Sequence, residues 1–373
     1  MQVIIPAGGR GTRLHPISHG LPKALAPLAD TTLLDHALDV LDGTDAERIT
    51  VVGGPDAQAL ARALAARADD RLRLVIQPEP LGQADAVRQA ADGLRGPTLV
   101  LFVDTLHDVD LGTLALHCGS ADGLLFARAM PDPSAFGVAV VDGAGLVQRL
   151  IEKPREPISD RAVIGVYYLK DGEHLARSVR ALVASGLQGA TRGEFYLLDA
   201  LQRMIDEGAR LRVLPASLWL DCGTPKALHE ASRHVLHGLV HQVDPGAIGP
   251  GTVVRPPVRV ATGARVTGSV VGPFVAVAAG ARIEHSVLGP AVGVGPGAQV
   301  RGACVGDSVL GARSRVESAV LTGSILAPGA RFEGQASQVV LGPDSFAGNA
   351  PATEEPNRSS EHDDRGRAGS GLA

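Results

Sequence analysis

The chain has 373 residues, 45% apolar and 20% charged, which suits two or three domains and excludes global disorder. A formal net charge of −5 leaves no basic excess to displace counterions, so no nucleic-acid partner is expected. Cys118, Cys222 and Cys304 fit neither a metal spacing nor a disulfide framework; this points to a reducing compartment, the cytoplasm. The start MQVIIPAGG lacks the basic stretch of a signal peptide, and no apolar run approaches the ~18 residues of a membrane span, so no membrane contact is expected.

Up to about residue 240 the pattern alternates between strand and helix. Val3–Ile5, Ile49–Val52, Leu72–Ile76 and Leu99–Val103 are short, β-branched and followed by glycine, proline or aspartate, as strands are. Leu33, Leu34, Ala37, Leu38 and Leu41 form the stripe of an amphipathic helix, and a second helix is expected from Ala84 to Leu94. This alternation implies a mostly parallel sheet with ligands at the carboxyl ends of its strands. From Gly123 come GLLFARAM, FGVAVV, LVQRLI and AVIGVYYL, with Asp142-Gly143 as a hairpin signal, so the sheet is extended as a mixed one. Thr224-Pro225 then caps and opens another helix.

Residues 246–342 repeat. Ile248, Val254, Val260, Val266, Val271, Val277, Ile283, Leu288, Val294, Val300, Val305, Leu310, Val316, Leu321, Leu326 and Phe332 recur every five or six positions among glycine, alanine and serine. One inward aliphatic side chain per short strand, with sharp corners between strands, describes a solenoid. Its narrow interior suits the high glycine count, 46, and the low aromatic content, 3%. Residues 343–373 carry almost no large apolar side chain and are expected to be disordered.

The segment PAGGRGTRLHPISHGLPKALAPL puts Gly8, Gly9 and Gly11 directly after the first strand, where backbone N–H groups can close on a phosphate. Arg13 and Lys23 follow as two fixed cations for a polyphosphate. Gln77 closes a strand and can read a base edge, with Gly82 just before the next helix. Asp104 and Asp221 end strands, and two such carboxylates suit a Mg²⁺ shared with substrate phosphates. Glu152-Lys153-Pro154 could hold sugar hydroxyls and a phosphate, or be a solvated ion pair. Gly137 and Gly165 are either points of close ligand approach or structural glycines. Glu194 is either a helix N-terminal acid or a hydroxyl acceptor. His285, within the repeats, is either a base for acyl transfer or a solvent-facing corner.

On these residues the chain resembles the sugar-phosphate nucleotidylyltransferases fused to a left-handed β-helix of hexapeptide repeats. The resemblance rests on Gly9-x-Gly11-Thr12-Arg13-Leu14-x-Pro16 with Pro22-Lys23. The blocks around Asp104, Phe136-Gly137, Glu152-Lys153-Pro154, Gly165-Val166-Tyr167, Glu194 and Trp219-Leu220-Asp221-Cys222-Gly223 follow in order. It implies an α/β fold: a Rossmann-like mixed-sheet nucleotidyltransferase domain over 1–240, then a left-handed parallel β-helix over 246–342. It implies Mg²⁺-dependent condensation of a nucleoside triphosphate with a sugar 1-phosphate.

In that reading Arg13 binds the β- and γ-phosphates, Lys23 the α-phosphate and Lys153 the sugar phosphate. Gly8, Gly9, Gly11, Thr12, Gln77 and Gly82 hold the nucleotide. Gly137, Glu152, Gly165 and Glu194 line the sugar pocket, and Asp104 and Asp221 carry the metal. Val103 and Ala24 depart from the glycine and glutamine common in relatives, which leaves the base open. A glucose 1-phosphate thymidylyl- or uridylyltransferase is expected first and a mannose 1-phosphate guanylyltransferase second, with chains pairing through the repeats as a homo-oligomer. A non-catalytic regulatory subunit of the same fold would have lost the cations and acids that are present here. An acetyl-transferring repeat domain would need a histidine-centred cluster that the repeats lack.

Overall fold

A computed structural model describes residues 1–9, 11–186, 193–336 and 339–347. The expected disordered tail lies almost wholly outside these residues. The first half is built on a nine-stranded mixed sheet. Its main path runs Val147–Glu152, Gly137–Val141, Arg161–Leu169, Thr98–Leu101, Gln2–Pro6, Arg48–Gly53, Leu72–Ile76. The last four strands are parallel, and Arg161–Leu169 runs antiparallel to Thr98–Leu101. Gly123–Ala129 pairs with Arg161–Leu169 and with Leu211–Pro215. One face buries a core around Ile5, Leu34, Leu38 and Leu101; the other buries Ile4, Val87, Val100 and Leu201. Ile4 and Ile5 point opposite ways from a strand covered on both sides, so both are apolar.

Two elements are shorter than their apolar patterns suggest. The helix expected over Ala84–Leu94 spans Gln83–Gln89, because Asp92-Gly93 turns the chain and Gly93 has φ +75°. The strand expected over Leu99–Val103 ends at Leu101. Phe102 donates its N–H to the Gly165 carbonyl at 2.9 Å, and Thr105 N–H closes a turn on the Phe102 carbonyl. That turn carries Asp104. The helix Leu33–Asp39 starts at a capping box in which Thr32 and Asp35 satisfy each other's backbone N–H.

The second half is a parallel β-helix with coils of fifteen to eighteen residues; Val258, Val275 and Val292 stack in register. The inward column from Val260 to Phe332 is buried. Corners fall at residues in the left-handed region, including Phe274, His285, Ala291 and Asp307. Buried serines tie coils together: Ser269 Oγ accepts from Ser286 N–H at 3.0 Å, and Ser286 Oγ from Ala303 N–H at 3.1 Å. His285 is an exposed corner whose ring lies against Gly268.

One face of the solenoid is covered by the first half. Its outward column reads Gln242, Arg259, Ala276, Gly293, Val309, Ile325, Val340. Ala276, Val309 and Ile325 are buried there. Helix Pro225–His237 and the hairpin of Pro27–Leu28 with Thr31–Thr32 lie on it.

Candidate active site

The loop after the first strand folds back on itself. Gly11 sits at φ +59°, and a Cβ there would lie 3.0 Å from Lys23 Cβ. Ser18 Oγ donates to the Gly11 carbonyl at 2.6 Å. The short turn Thr12–Leu14 buries Leu14 and leaves Arg13 extended, its guanidinium 4.0 Å from the Asp221 carboxylate. The turn Lys23–Leu25 aims the Lys23 ammonium at Asp104, and the two form an ion pair.

Asp104 and Asp221 are brought together by the pairing of Thr105–His107 with Trp219–Asp221, in which Asp221 lies opposite Thr105. Cys222 N–H donates to the Asp104 carbonyl at 2.9 Å. Their charges differ in setting. Burial pushes the Asp104 carboxyl up, but Lys23, its hydrogen bond and Arg13 outweigh this, and it sits below the usual range. Burial, then repulsion from Asp104, raises Asp221 despite Lys23 and Arg13. Gly223 is bare because a Cβ would lie 2.9 Å from both Arg13 and the Asp221 carboxylate.

Arg13, Asp104 and Asp221 form one side of a cleft whose other side carries Gly137, Glu152, Lys153 and Gly165. A Cβ on Gly137 would come within 2.2 Å of Leu198 and 2.8 Å of Glu152 Oε2, so the glycine makes room for that carboxylate. Gly165, at φ +83°, lies against the Phe102 ring. Burial, chiefly, raises Glu152, with Asp199 and Glu194 adding to the effect and Lys153, 3.6 Å away, opposing it. Lys153 adopts φ +45°, donates its N–H to the Phe136 carbonyl and lies 5.5 Å over the Tyr196 ring. The Trp219 indole packs edge-on against Phe136 at 4.7 Å on the cleft wall, and its buried N–H has no partner among the described residues.

The remaining predicted residues are not among those that line this cleft. Gln77 is buried; its amide nitrogen donates to the Gly82 carbonyl at 3.0 Å and to Asp85 at 2.8 Å. Both partners are acceptors, so the amide orientation is fixed and Oε1 faces Gly8. Gly82, at φ +99°, packs against Phe195 and beside Glu194. Gly9 and Thr12 are open to solvent. Sequence reasoning missed Asp85 and Arg88, which hold Gln77 in place; Arg88 Nε meets Asp85 at 2.8 Å. It also missed Gln83 and Phe102 on the cleft wall. An aspartate in a helix's first turn reads equally well as a dipole partner, so Asp85 gave no separate signal.

No group of three or more histidine, cysteine or acidic side chains is arranged for a metal among the described residues. Asp104 and Asp221 offer two hard oxygen donors that repel each other, a set that suits a divalent cation completed by ligand oxygens.

Comparison with known proteins adds the following. Residues 2–238 match the Nucleotidyl transferase family, and residues 246–309 match the GlmU-like C-terminal hexapeptide family. A glucose-1-phosphate thymidylyltransferase of Streptomyces antibioticus is 33% identical over 273 residues, covering 71% of this chain and 74% of that protein. One from Neisseria gonorrhoeae is 32% identical over 244 residues, 63% of this chain and 82% of that protein. The bifunctional protein GlmU of Cupriavidus necator is 30% identical over 246 residues, 64% of this chain and 52% of its own length. A Bacillus anthracis chain, solved with sucrose, superimposes with a TM-score of 0.55 at 24% identity over 65% of this chain and 98% of its own length, which shows the shared fold.

Proposed function

The chain belongs to the nucleotidyl transferase family, and from that premise we propose that it joins a nucleoside triphosphate to a sugar 1-phosphate, releasing pyrophosphate. The observation that carries this is the convergence of Arg13, Lys23, Asp104 and Asp221 at one end of a cleft and Lys153, Glu152 and Gly137 at the other. Two phosphorylated substrates can meet between them.

A sugar phosphate oxygen is already anionic near neutral pH and needs no general base. It attacks the α-phosphorus in line, and pyrophosphate leaves on the opposite side. The chain's contribution is alignment and fixed positive charge. Arg13 holds the β- and γ-phosphates. Lys23, released from Asp104 when substrate arrives, follows the α-phosphate as charge grows on it. Lys153 holds the sugar phosphate over Tyr196, and Glu152 and Glu194 accept from sugar hydroxyls beside Gly137 and Gly165. Gly8, Gly9, Gly11 and Thr12 lie along the triphosphate. Asp104 and Asp221 would hold a Mg²⁺, which when bound neutralises phosphate charge.

Gln77 argues about the base. With its amide nitrogen committed to Gly82 and Asp85, it presents an acceptor at Gly8. That acceptor takes a donor from the base edge, a ring N–H in thymine, uracil and guanine or an exocyclic amino group in adenine and cytosine, so it orients a base without choosing among them. A glucose 1-phosphate thymidylyl- or uridylyltransferase is the reading that the named relatives favour. A mannose 1-phosphate guanylyltransferase fits the same acceptor. Pyrophosphate release from five triphosphates against glucose and mannose 1-phosphates tests this. Turnover with dTTP or UTP and glucose 1-phosphate is expected, preference for another triphosphate would refute the thymidylyl or uridylyl reading, and no release with any pair would refute the function.

Residues 1–240 and 246–342 are taken as the two units. The reaction is placed in the cytoplasm, consistent with free cysteines at 118, 222 and 304. No helix among the described residues is long and apolar enough to cross a membrane. The partner of the solenoid's free face is a second copy of the chain. Val253, Val270, Val287, Cys304 and Val320 form an outward ladder in register, and Val253, Val287 and Val320 are 44–50% exposed. A like ladder has the matching rung spacing of about 4.8 Å. A short bifunctional maleimide should join copies through Cys304, the exposed cysteine. A monomeric mass in solution, with no cross-link, would refute the pairing.

A further inference from the structure

Among the described residues no solenoid side chain lines the cleft, yet the solenoid packs behind the segments that carry its charged groups. Leu14 follows Arg13, Leu28 comes five residues after Lys23, Leu106 two after Asp104, and Cys222 one after Asp221. These four side chains meet in one buried cluster, and the solenoid completes it with Val309, Ile325 and Ala327. Four separate segments thus each send a cleft group forward and an anchor backward. The anchors share a floor that the other half of the molecule supplies.

Contacts of the hairpin and the helix beside it set the position of this floor. The tip of the hairpin that follows Lys23 is Ala29-Asp30. A Cβ on Gly293 would lie 2.2 Å from the Ala29 carbonyl oxygen, so the tip rests on bare backbone. Arg259 meets the buried Asp30 carboxylate at 2.6 Å. Ala29 N–H donates to Ser232 Oγ on the helix lying over the solenoid, at 3.2 Å. From the same helix, His229 reaches the Asp307 carbonyl at 2.7 Å, and Arg233 its carboxylate at 3.2 Å.

We infer that the outward column Arg259, Gly293, Val309 and Ile325 is a set of positioning residues for nucleotidyl transfer. The solenoid fixes the spacing of Arg13, Lys23, Asp104 and Asp221 through their anchors, without touching substrate. This rests on the functional reading above. Its physical warrant is a continuous packed layer, in which a displacement of about an ångström at the reacting groups costs as much as a hundredfold in rate.

The test uses matched truncations in the full chain. Val309→Ala removes the same two methyl groups from the docking floor that Val300→Ala removes from the solenoid's own interior. Ile325→Ala enlarges the floor cavity, and Ile325→Val largely restores it. Trp219 is the single tryptophan and stands two residues before Asp221, so its emission reports cleft geometry independently of turnover. Val309→Ala and Ile325→Ala should lower kcat about tenfold, with KM changed much less, and shift Trp219 emission, whereas Ile325→Val and Val300→Ala stay near the parent. Arg259→Met, which keeps the fold's apolar packing, should shift the emission in the same sense, and Arg259→Lys should reverse part of it. Equal effects of Val309→Ala and Val300→Ala, or no change in kcat and emission from either floor variant, would overturn the inference. A parent chain that releases no pyrophosphate would instead refute the functional reading, and the emission comparison would still decide whether the floor sets the cleft.

Discussion

Removing the Lys23 ammonium leaves the Asp104 carboxylate beside Asp221 with only Arg13 to oppose their repulsion. Lys23→Ala should therefore lower turnover by roughly 10²–10³-fold, the cost of losing one donor to developing phosphate charge. It should also lower thermal stability by about 1–3 kcal/mol, since a partly buried charge loses its partner. Steady-state kinetics and calorimetry on the same variant separate the two effects. His107 gives a different handle. Burial, chiefly, together with nearby His36, pushes its pKa down to about 4, and its Nδ1 accepts from Val109 N–H at 3.1 Å. The folded state holds it neutral, while the unfolded chain protonates it near 6.5. Its contribution to stability is complete above that value and is lost as pH falls towards 4. Urea midpoints should drop over this window, and His107→Gln should flatten the slope. At this scale the sequence showed the charged residues well, because Arg13, Lys23 and the strand-end acids have few structural uses in such a pattern. It did not show Asp85 and Arg88, whose work is to orient Gln77 from a helix that needs an acid at its start in any case.

In the solenoid, the recurring aliphatic residues announced the inward column, because a narrow interior admits one side chain per strand. The serines between them looked like filler. In the structure, Ser286 Oγ accepts from Ala303 N–H in the next coil and donates to the Glu284 carbonyl at 2.7 Å. Ser286→Ala would leave a buried backbone N–H without its partner and should cost about 1–3 kcal/mol. Ser269→Ala, which takes the same bond from Ser286 N–H, should cost a similar amount. Chemical denaturation of both variants checks the pair. In the first half, the strand and helix cores were legible from periodicity, while the end of Thr98–Leu101 was decided by a hydrogen bond to distant Gly165 and that of Gln83–Gln89 by the local turn at Asp92-Gly93.

For the molecule as a whole, the contact between halves was the feature least visible in the chain. The docking column mixes Arg259, Ala276, Gly293, Val309 and Ile325, residues seventeen or sixteen apart that share no type. Its meaning appears only when the coils are stacked and the hairpin tip lies across them. Ending the chain at residue 240 should expose Leu14, Ile17, Leu28, Leu106 and Leu228 together. The truncated protein should aggregate or lose most of its turnover. Light scattering and pyrophosphate release on the shortened chain check this. A stable, fully active product would contradict it.

The bare backbone at Gly293 also turns the solenoid into a ruler. Coils advance in fixed steps of about 4.8 Å, so deleting or inserting one between Arg259 and Ile325 moves every later contact by a whole step. Loss of the Ala276 coil, for example, would bring Val309 against Ala29 in place of Gly293 while Arg259 kept Asp30. The last such contact among the described residues is Gly342, where a Cβ would lie 2.8 Å from the Pro16 carbonyl oxygen. Natural variation in the number of repeats should therefore accumulate beyond that point and spare the stretch that underlies the hairpin.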